Sequence, residues 1–190
     1  MAGQNVSPFE IIAGPATVYV APVGEAFPAV NAVPAGNWLS LGDTDGGVTV
    51  EPQQAVNMLR TDQAIGPVKA IRTEVDLHVT FNLAELTLET MAKVLNNVTV
   101  TTGAGPSRRI LPIGRGTSVV QQLAMLIRGP SPYGDFDCQW EIPRIVQSGA
   151  PSMMYGREDK SVLTTEWNAI VDPSAASVNE IFGRLVAQDA

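Results

Sequence analysis

The chain has 190 residues, 45 % of them hydrophobic and 16 % charged, which is enough apolar material for the core of one domain. Its formal net charge of −7 excludes a basic nucleic-acid-gripping surface, since Arg108-Arg109 is the only adjacent basic pair. The single cysteine, Cys138, excludes an internal disulfide and a cysteine-based metal site. Because no apolar run is long enough for a membrane span and the N-terminus lacks signal-peptide features, we expect a cytoplasmic protein.

The first part of the chain alternates short strand patterns with proline- and glycine-rich breaks. Residues 1–15 are predicted to form an N-terminal arm that carries Phe9, Ile11 and Ile12, because Gly14-Pro15 interrupts any regular element there. Strands are predicted at 16–21, 38–41 and from 48 onward, with a proline-rich loop at 22–37 and a turn at 42–47.

Residues 51–67 are mostly polar and are bracketed by Pro52 and Gly66-Pro67. A polar segment of this length between two strands is typical of a functional or disordered loop.

Residues 72–83 carry the strongest strand pattern of the chain. Apolar Val75, Leu77, Val79, Phe81 and Leu83 alternate without a break with polar Glu74, Asp76, His78, Thr80 and Asn82. The polar face is either the solvent face of an ordinary antiparallel sheet or the wall of a polar channel.

From Ala84 onward the spacing of apolar residues changes from every second residue to that of a helix. Ala84, Leu88, Met91 and Leu95 would lie on one face of that helix. We predict a helix over 84–95, capped by Asn82 with a glutamate three residues later.

The second half continues as strands separated by turns. A buried strand or a helix is predicted at 119–128, and a terminal helix with Ile181, Phe182 and Leu185 inward, or a tail, at 178–187. Residues 98–101 form a brief β-branched run, and further strands are predicted at 108–113, 137–147 and 161–171. The sum is a mainly antiparallel β-domain with one helix between its halves.

No catalytic or metal-binding constellation emerges from the sequence. His78 is the only histidine, and no local signature supports a Cys138–His78 dyad. Asp135, Asp137 and Glu141 lack the spacing of a calcium loop and favour a solvated turn. We therefore predict that the protein is not an enzyme and has no cofactor or metal.

The order of the parts resembles the major tail (tail tube) proteins of long-tailed bacteriophages. The pieces are ATVYVAP at 16–22, WLSLG at 38–42, DGGV at 45–48, the polar segment 51–67 with Asp62-Gln63 near its end, the long alternating strand, and LAELT at 83–87. The resemblance covers 16–95 well and 98–171 more loosely. Gene transfer agents and related tail-like particles have similar tube proteins.

The resemblance implies an antiparallel β-sandwich flanked by a helix. It implies that six copies form a ring, that inner strands of the copies join into a continuous β-barrel, and that rings stack into the tail tube, the conduit for DNA ejection. The expected partners are other copies of the chain, the tape measure, tail terminator and distal tail proteins, and DNA that passes without specific binding; no membrane is expected. The expected location is the virion tail, assembled in the cytoplasm of a bacterial host.

The residue patterns themselves predict roles within such an assembly. The polar face, Glu74, Asp76, His78, Thr80 and Asn82, is expected to line the channel, where acidic groups repel DNA phosphates. The segment 51–67 is expected to be mobile in the monomer and to become ordered against a neighbouring subunit or ring through Gln53, Gln54, Asn57, Met58, Leu59, Arg60, Asp62 and Gln63. The N-terminal arm, through Phe9, Ile11 and Ile12, is expected to pack on an adjacent subunit.

The sequence thus divides into an arm at 1–15, a tail-tube β-sandwich domain at 16–175 and a C-terminal helix or tail at 176–190. The alternatives are a tail-completion or baseplate protein of the same fold, a β-sandwich ligand-binding module, and an unrecognised hydrolase.

Overall fold

A computed structural model describes residues 12–95, 98–103, 107–114, 119–157 and 159–188 of the chain. All strand pairs in it are antiparallel, and nine of the eleven strands belong to one hydrogen-bonded sheet. The elements are β1 (Thr17–Pro22), β2 (Leu39–Ser40), β3 (Thr44–Leu59), β4 (Lys69–Leu83), α1 (Leu88–Val94), β5 (Thr101–Gly103), β6 (Arg108–Ile110), β7 (Leu123–Pro130), β8 (Asp137–Gln147), β9 (Ser152–Met153), β10 (Leu163–Ala169) and β11 (Arg184–Ala187). The predicted mainly antiparallel β fold is confirmed, with α1 the one α-helix of the described ranges.

The main sheet curls around its own apolar face. Its strand order is β2-β1-β7-β8-β10-β4-β3, with β11 beside the first half of β8 and β9 beside the start of β10. Val18 of β1 and Val79 of β4 lie far apart in this order, yet both belong to the same buried cluster. Phe81 and Trp167 stack in that cluster, with ring centroids 6.4 Å apart. Strands from distant places in one sheet therefore share a single core. The sandwich, and the continuous barrel formed between subunits, stay predictions.

β4 confirms the strand predicted at 72–83 and extends it to Lys69. Leu77, Val79, Phe81 and Leu83 are buried, whereas the residues between them are partly or fully exposed. The alternation in the sequence thus reports one buried and one solvated face.

The loop prediction at 51–67 is wrong for residues 51–59, which form the second half of β3. These residues pair with β4 as far as Leu59 opposite Lys69, so only residues 60–68 connect the two strands. A strand that is exposed on both faces needs no apolar alternation, which is why its sequence resembles a polar loop.

β3 also begins inside the turn predicted at 42–47. Asp45 pairs with Asn82 and Val48 pairs with Phe81, so Gly46 and Gly47 are extra residues in a bulge. Their φ angles of 78° and 88° are readily adopted only by glycine.

The helix is shorter than predicted and begins later. Its N-cap is Thr87, whose Oγ1 accepts a hydrogen bond from the Thr90 N–H at 3.2 Å. Asn82, the predicted cap, lies in β4 opposite Thr164 of β10. Strand pairing thus overrides the local capping signal, and the buried helical residues are Thr90, Ala92 and Val94.

The structure shows the secondary structure of the two segments 119–128 and 178–187, for which the sequence left alternatives open. The segment 119–128 contains a strand, β7, with Leu123 to Ile127 buried. The helix predicted at 178–187 is wrong, because only Val178–Glu180 forms a 3₁₀ turn and β11 follows it. β11 pairs with the first half of β8, whose edge on that side is not taken by β10.

Candidate functional site: a polar sheet face and a projecting hairpin

The outer face of β3, β4 and β10 brings polar side chains from three strands together. His78 lies between Glu51 of β3 and Asn168 of β10, and Thr80 lies opposite Glu166 of β10. Directly opposed residues of antiparallel strands share a face and lie close together. The five predicted channel-lining residues all lie on this surface, the polar face, with Glu74, Asp76 and Thr80 exposed and His78 and Asn82 partly exposed.

The polar face is acidic. Glu51, Glu74, Asp76 and Glu166 contribute four carboxylates to it. A fifth carboxylate at its margin, Asp45, is bonded to Lys160 Nζ at 2.7 Å. Such a surface repels phosphate groups and offers DNA no adhesive contact.

Beyond Leu77 the two strands β3 and β4 leave the body of the domain as a projecting hairpin, which comprises residues 53–76. Its side chains are exposed on both faces, apart from the partly exposed Ala55 and Ala64. At the ordinary strand rise its seven-residue β3 segment extends for about 20 Å.

Apolar side chains are distributed over both faces and the tip of the projecting hairpin. Met58 is 54 % exposed, and Ile65 in the connecting loop is fully exposed. The complete set is Val56, Met58, Leu59, Ile65, Val68, Ile71 and Val75. A two-stranded hairpin is only marginally stable alone, and exposed apolar groups in such a cluster are typical of an interaction surface.

The projecting hairpin has a defined backbone within the single chain. The Val68 N–H donates to Leu59 O at 2.8 Å and closes the connecting loop. Thr73 Oγ1 donates to Ala55 O at 3.3 Å, next to a register shift in the ladder. The eight predicted contact residues are split between β3, from Gln53 to Leu59, and the loop 60–68. Their mobility in the monomer and their inter-subunit role stay predictions.

The residues of the predicted N-terminal arm are only partly described. Phe9 and Ile11 lie outside the described residues, and Ile12 is 58 % exposed. The predicted packing of this arm on an adjacent subunit stays a prediction.

The fold does not bring His78 and Cys138 together as a catalytic pair. His78 lies on the polar face of β4, whereas β10 separates β4 from β8, which carries Cys138. Burial raises the pKa of the Cys138 thiol, which makes it a poor nucleophile. In the described ranges, no group of three or more His, Cys, Asp or Glu side chains has the arrangement of a metal site.

A buried polar network that the sequence analysis missed lies on the other side of β8. Gln139 Nε2 donates to Glu141 Oε1 at 2.7 Å and to Pro28 O at 2.8 Å. Arg128 Nη2 donates to Gln139 Oε1 at 2.6 Å, and Arg184 Nε donates to Glu141 Oε2 at 2.7 Å. The hydrogen bond from Arg184 to Glu141 raises the pKa of the arginine. This network attaches the proline-rich loop to the sheet, and its satisfied carboxylate indicates a structural role.

A second polar cluster follows β10. The side-chain and main-chain donors of Ser174 bond Asp172 Oδ1 at 2.7 and 3.1 Å, and Arg144 Nε bonds it at 3.2 Å. The hydrogen bonds from Ser174, and then the hydrogen bond and positive charge of Arg144, lower the pKa of the Asp172 carboxyl. The cluster fixes the turn that follows β10.

Comparisons with known proteins add little to this geometry. No protein-family model matches the chain, and no curated protein matches it. Among solved structures, a chain of the anti-feeding prophage (AFP) baseplate, from a sixfold-symmetrised cryo-electron microscopy structure, aligns with a TM-score of 0.47 and 7 % identity. The alignment covers 93 % of this chain and 95 % of the other. Because the score lies below 0.5, we base no argument on this likeness. Over the described residues, no helix is long and apolar enough to cross a membrane.

Proposed function

We propose that the protein is a structural subunit of a phage tail or a tail-like particle, which forms stacked hexameric rings and thereby a tail tube for DNA. The observation that carries this proposal is that the domain has both an acidic polar face and a projecting hairpin rich in exposed apolar groups. The same strands, β3 and β4, supply both features. An ordered resemblance in the sequence to tail tube proteins supports the same function. On this proposal the protein is not an enzyme.

The polar face suits the wall of a channel. Repetition of its four carboxylates around a ring would give an acidic lumen through which DNA slides without adhesion. β3 ends the strand order of the main sheet, so in the described part of the chain its outer edge has no partner strand. Pairing of this edge with a neighbouring subunit would remove an aggregation-prone edge and continue the sheet from copy to copy.

The projecting hairpin suits contacts along the tube. A length of about 20 Å lets it reach past its own subunit, and the apolar groups on both faces allow contact with two surfaces. Its partners would be other copies of the chain within the tube. At the tube ends they would be the tail terminator and distal tail proteins.

Negative-stain electron microscopy of the purified full-length protein tests this function, with sedimentation velocity as a second measurement. We expect rings and short tubes with sixfold views. Isolated rings that never stack would support a tail-completion or baseplate protein instead. A uniform monomer at all concentrations and ionic strengths would overturn the assembly proposal.

A further inference from the structure

The paired strands β3 and β4 end in two different surfaces. At one end Leu59 lies opposite Lys69, at the tip of the projecting hairpin. At the other end Leu83 lies opposite Leu163 of β10, and Leu163 lies opposite Met153 of β9. From Lys69 to Leu83 the strand extends for about 45 Å at the ordinary rise, so its two ends cannot meet within one subunit.

The tip of the projecting hairpin presents an apolar side chain on a hydrogen-bonded loop. Ile65 is fully exposed. Arg60 Nη1 donates to Ile65 O at 3.4 Å, and the Ala64 N–H donates to Thr61 O at 3.1 Å. These bonds give the loop a defined shape before any contact forms, which lowers the entropic cost of binding.

The distal part of the hairpin, residues 57–72, is basic, although the whole chain has a net charge of −7. It has one carboxylate, Asp62, and three basic side chains, Arg60, Lys69 and Arg72, which leaves a net charge of +2. A positive surface favours an acidic partner, and a second copy of this chain is such a partner.

Two large apolar side chains are exposed at the other end of the strands. Met153 packs against the core, and the chain then leaves the sheet with Met154 78 % exposed and Tyr155 80 % exposed. Aromatic residues and methionine are enriched at protein interfaces. We call this surface the far end, and it comprises residues 43–45, 83–85, 153–157 and 159–160.

The far end is acidic. Asp43 directly precedes β3, and the Ala84 N–H donates to its main-chain oxygen at 2.8 Å. The bond between Lys160 Nζ and Asp45 Oδ1 at 2.7 Å attaches the following segment to the sheet. The described charged residues leave a net charge of −2, with four acidic side chains against two basic ones: Asp43, Asp45, Glu85 and Asp159, and Arg157 and Lys160.

We propose that the hairpin tip of one copy docks on the far end of a second copy, where Ile65 contacts Met154 and Tyr155. The basic side chains of residues 57–72 then face the carboxylates of the far end. This inference rests on the proposed function and names the surface that receives the hairpin. Because the two surfaces are different and lie at opposite ends of the same strands, the contact repeats from copy to copy in one direction and builds a stack.

Cysteine crosslinking between two singly substituted chains tests this contact. Ile65→Cys and Tyr155→Cys are purified separately, mixed under the conditions in which the native chain assembles, and mildly oxidised. We expect a disulfide between positions 65 and 155 of two chains, identified by peptide mass spectrometry. Val33→Cys in place of Tyr155→Cys is the control, since Val33 is 85 % exposed but lies outside the far end. Tubes that form without the 65–155 disulfide overturn this inference and leave the proposed function intact, whereas a native chain that never assembles overturns both.

Charge reversal is a second test and leaves the core unchanged. Lys69→Glu with Arg72→Glu should raise the critical concentration for tube formation by about fivefold or more, because like charges then face each other. Addition of Asp43→Lys and Glu85→Lys to the same chain should restore assembly near the native concentration.

The matched control places the two compensating lysines elsewhere. Asp135→Lys with Asp137→Lys, in the turn between β7 and β8, restores the same net charge to the reversed chain and should not restore assembly. Circular dichroism must show native folding of every variant. Equal rescue by both pairs, or a native critical concentration in the folded Lys69→Glu, Arg72→Glu variant, would overturn the docking of the tip on the far end.

Discussion

Replacement of Met58 and Ile65 by serine tests whether the projecting hairpin holds subunits together. Met58 is 54 % exposed and Ile65 is fully exposed, so neither side chain contributes much to the core of its own subunit. We therefore expect the free energy of unfolding of the monomer to change by no more than about 0.5 kcal/mol.

The expected effect on assembly follows from the apolar surface that remains to be buried. Complete burial of a side chain of this size contributes about 1.5–3 kcal/mol. With about half of Met58 and all of Ile65 still exposed, the two would contribute roughly 2–4.5 kcal/mol per contact. Ordering of the two side chains offsets about 0.5–1.5 kcal/mol each. The net loss is then about 1–1.5 kcal/mol, which corresponds to a decrease of roughly 5- to 12-fold in the association constant.

The assay is the critical concentration for assembly, measured by light scattering and checked by sedimentation velocity. Val33→Ser is the matched control, since Val33 is 85 % exposed but lies outside the projecting hairpin. The double variant should need a higher concentration than the native chain, and the control should not. A folded double variant that assembles at the native concentration would refute the role of the hairpin.

Three further predictions concern the lumen, the β11 contact and acid stability. The double variant Glu74→Lys, Asp76→Lys should form intact tubes in electron micrographs but eject DNA more slowly, because DNA phosphates would then bind the channel wall. Normal ejection through such tubes would exclude these residues from the lumen. Gly183→Ala should lower the Tm strongly, because the added Cβ would lie 2.0 Å from a main-chain oxygen of β8 at a φ of 119°; a native Tm by calorimetry would contradict this. Hydrogen bonds from Ser174 lower the pKa of Asp172, so its contribution to stability should be complete above the ordinary value of 3.8 and lost as pH falls below it. Asp172→Asn should therefore lower the Tm at neutral pH but not in strong acid, and an equal loss in both would refute this linkage.

Much of the fold was predictable from local pattern. The alternation at 72–83 correctly predicts a strand, and it correctly predicts the buried face from Leu77 to Leu83, because one side of β4 packs in the core there. Val75 continues the same apolar pattern but is exposed, since it lies in the projecting hairpin. The strand predicted at 137–147 matches β8 residue for residue. The five residues predicted for the channel share one face of β4 for the same reason: a period of two places alternate side chains on one side of a strand.

Other features depended on partners distant in the sequence. The predicted capping residue Asn82 lies in β4 because β3 and β10 pair with it on either side. The apolar stripe at 178–187 resembles a helix, but the free edge of β8 draws this segment into a strand. In both places long-range pairing decided between locally acceptable structures.

The sequence alone therefore determined the class of fold and the polar face, because composition and strand periodicity are local properties of the chain. Only the tertiary structure decided that residues 51–59 belong to a projecting hairpin, since a strand exposed on both faces carries no periodic signal. It alone also showed that Val18 of β1 and Val79 of β4, far apart in the chain, meet in one core when the sheet curls.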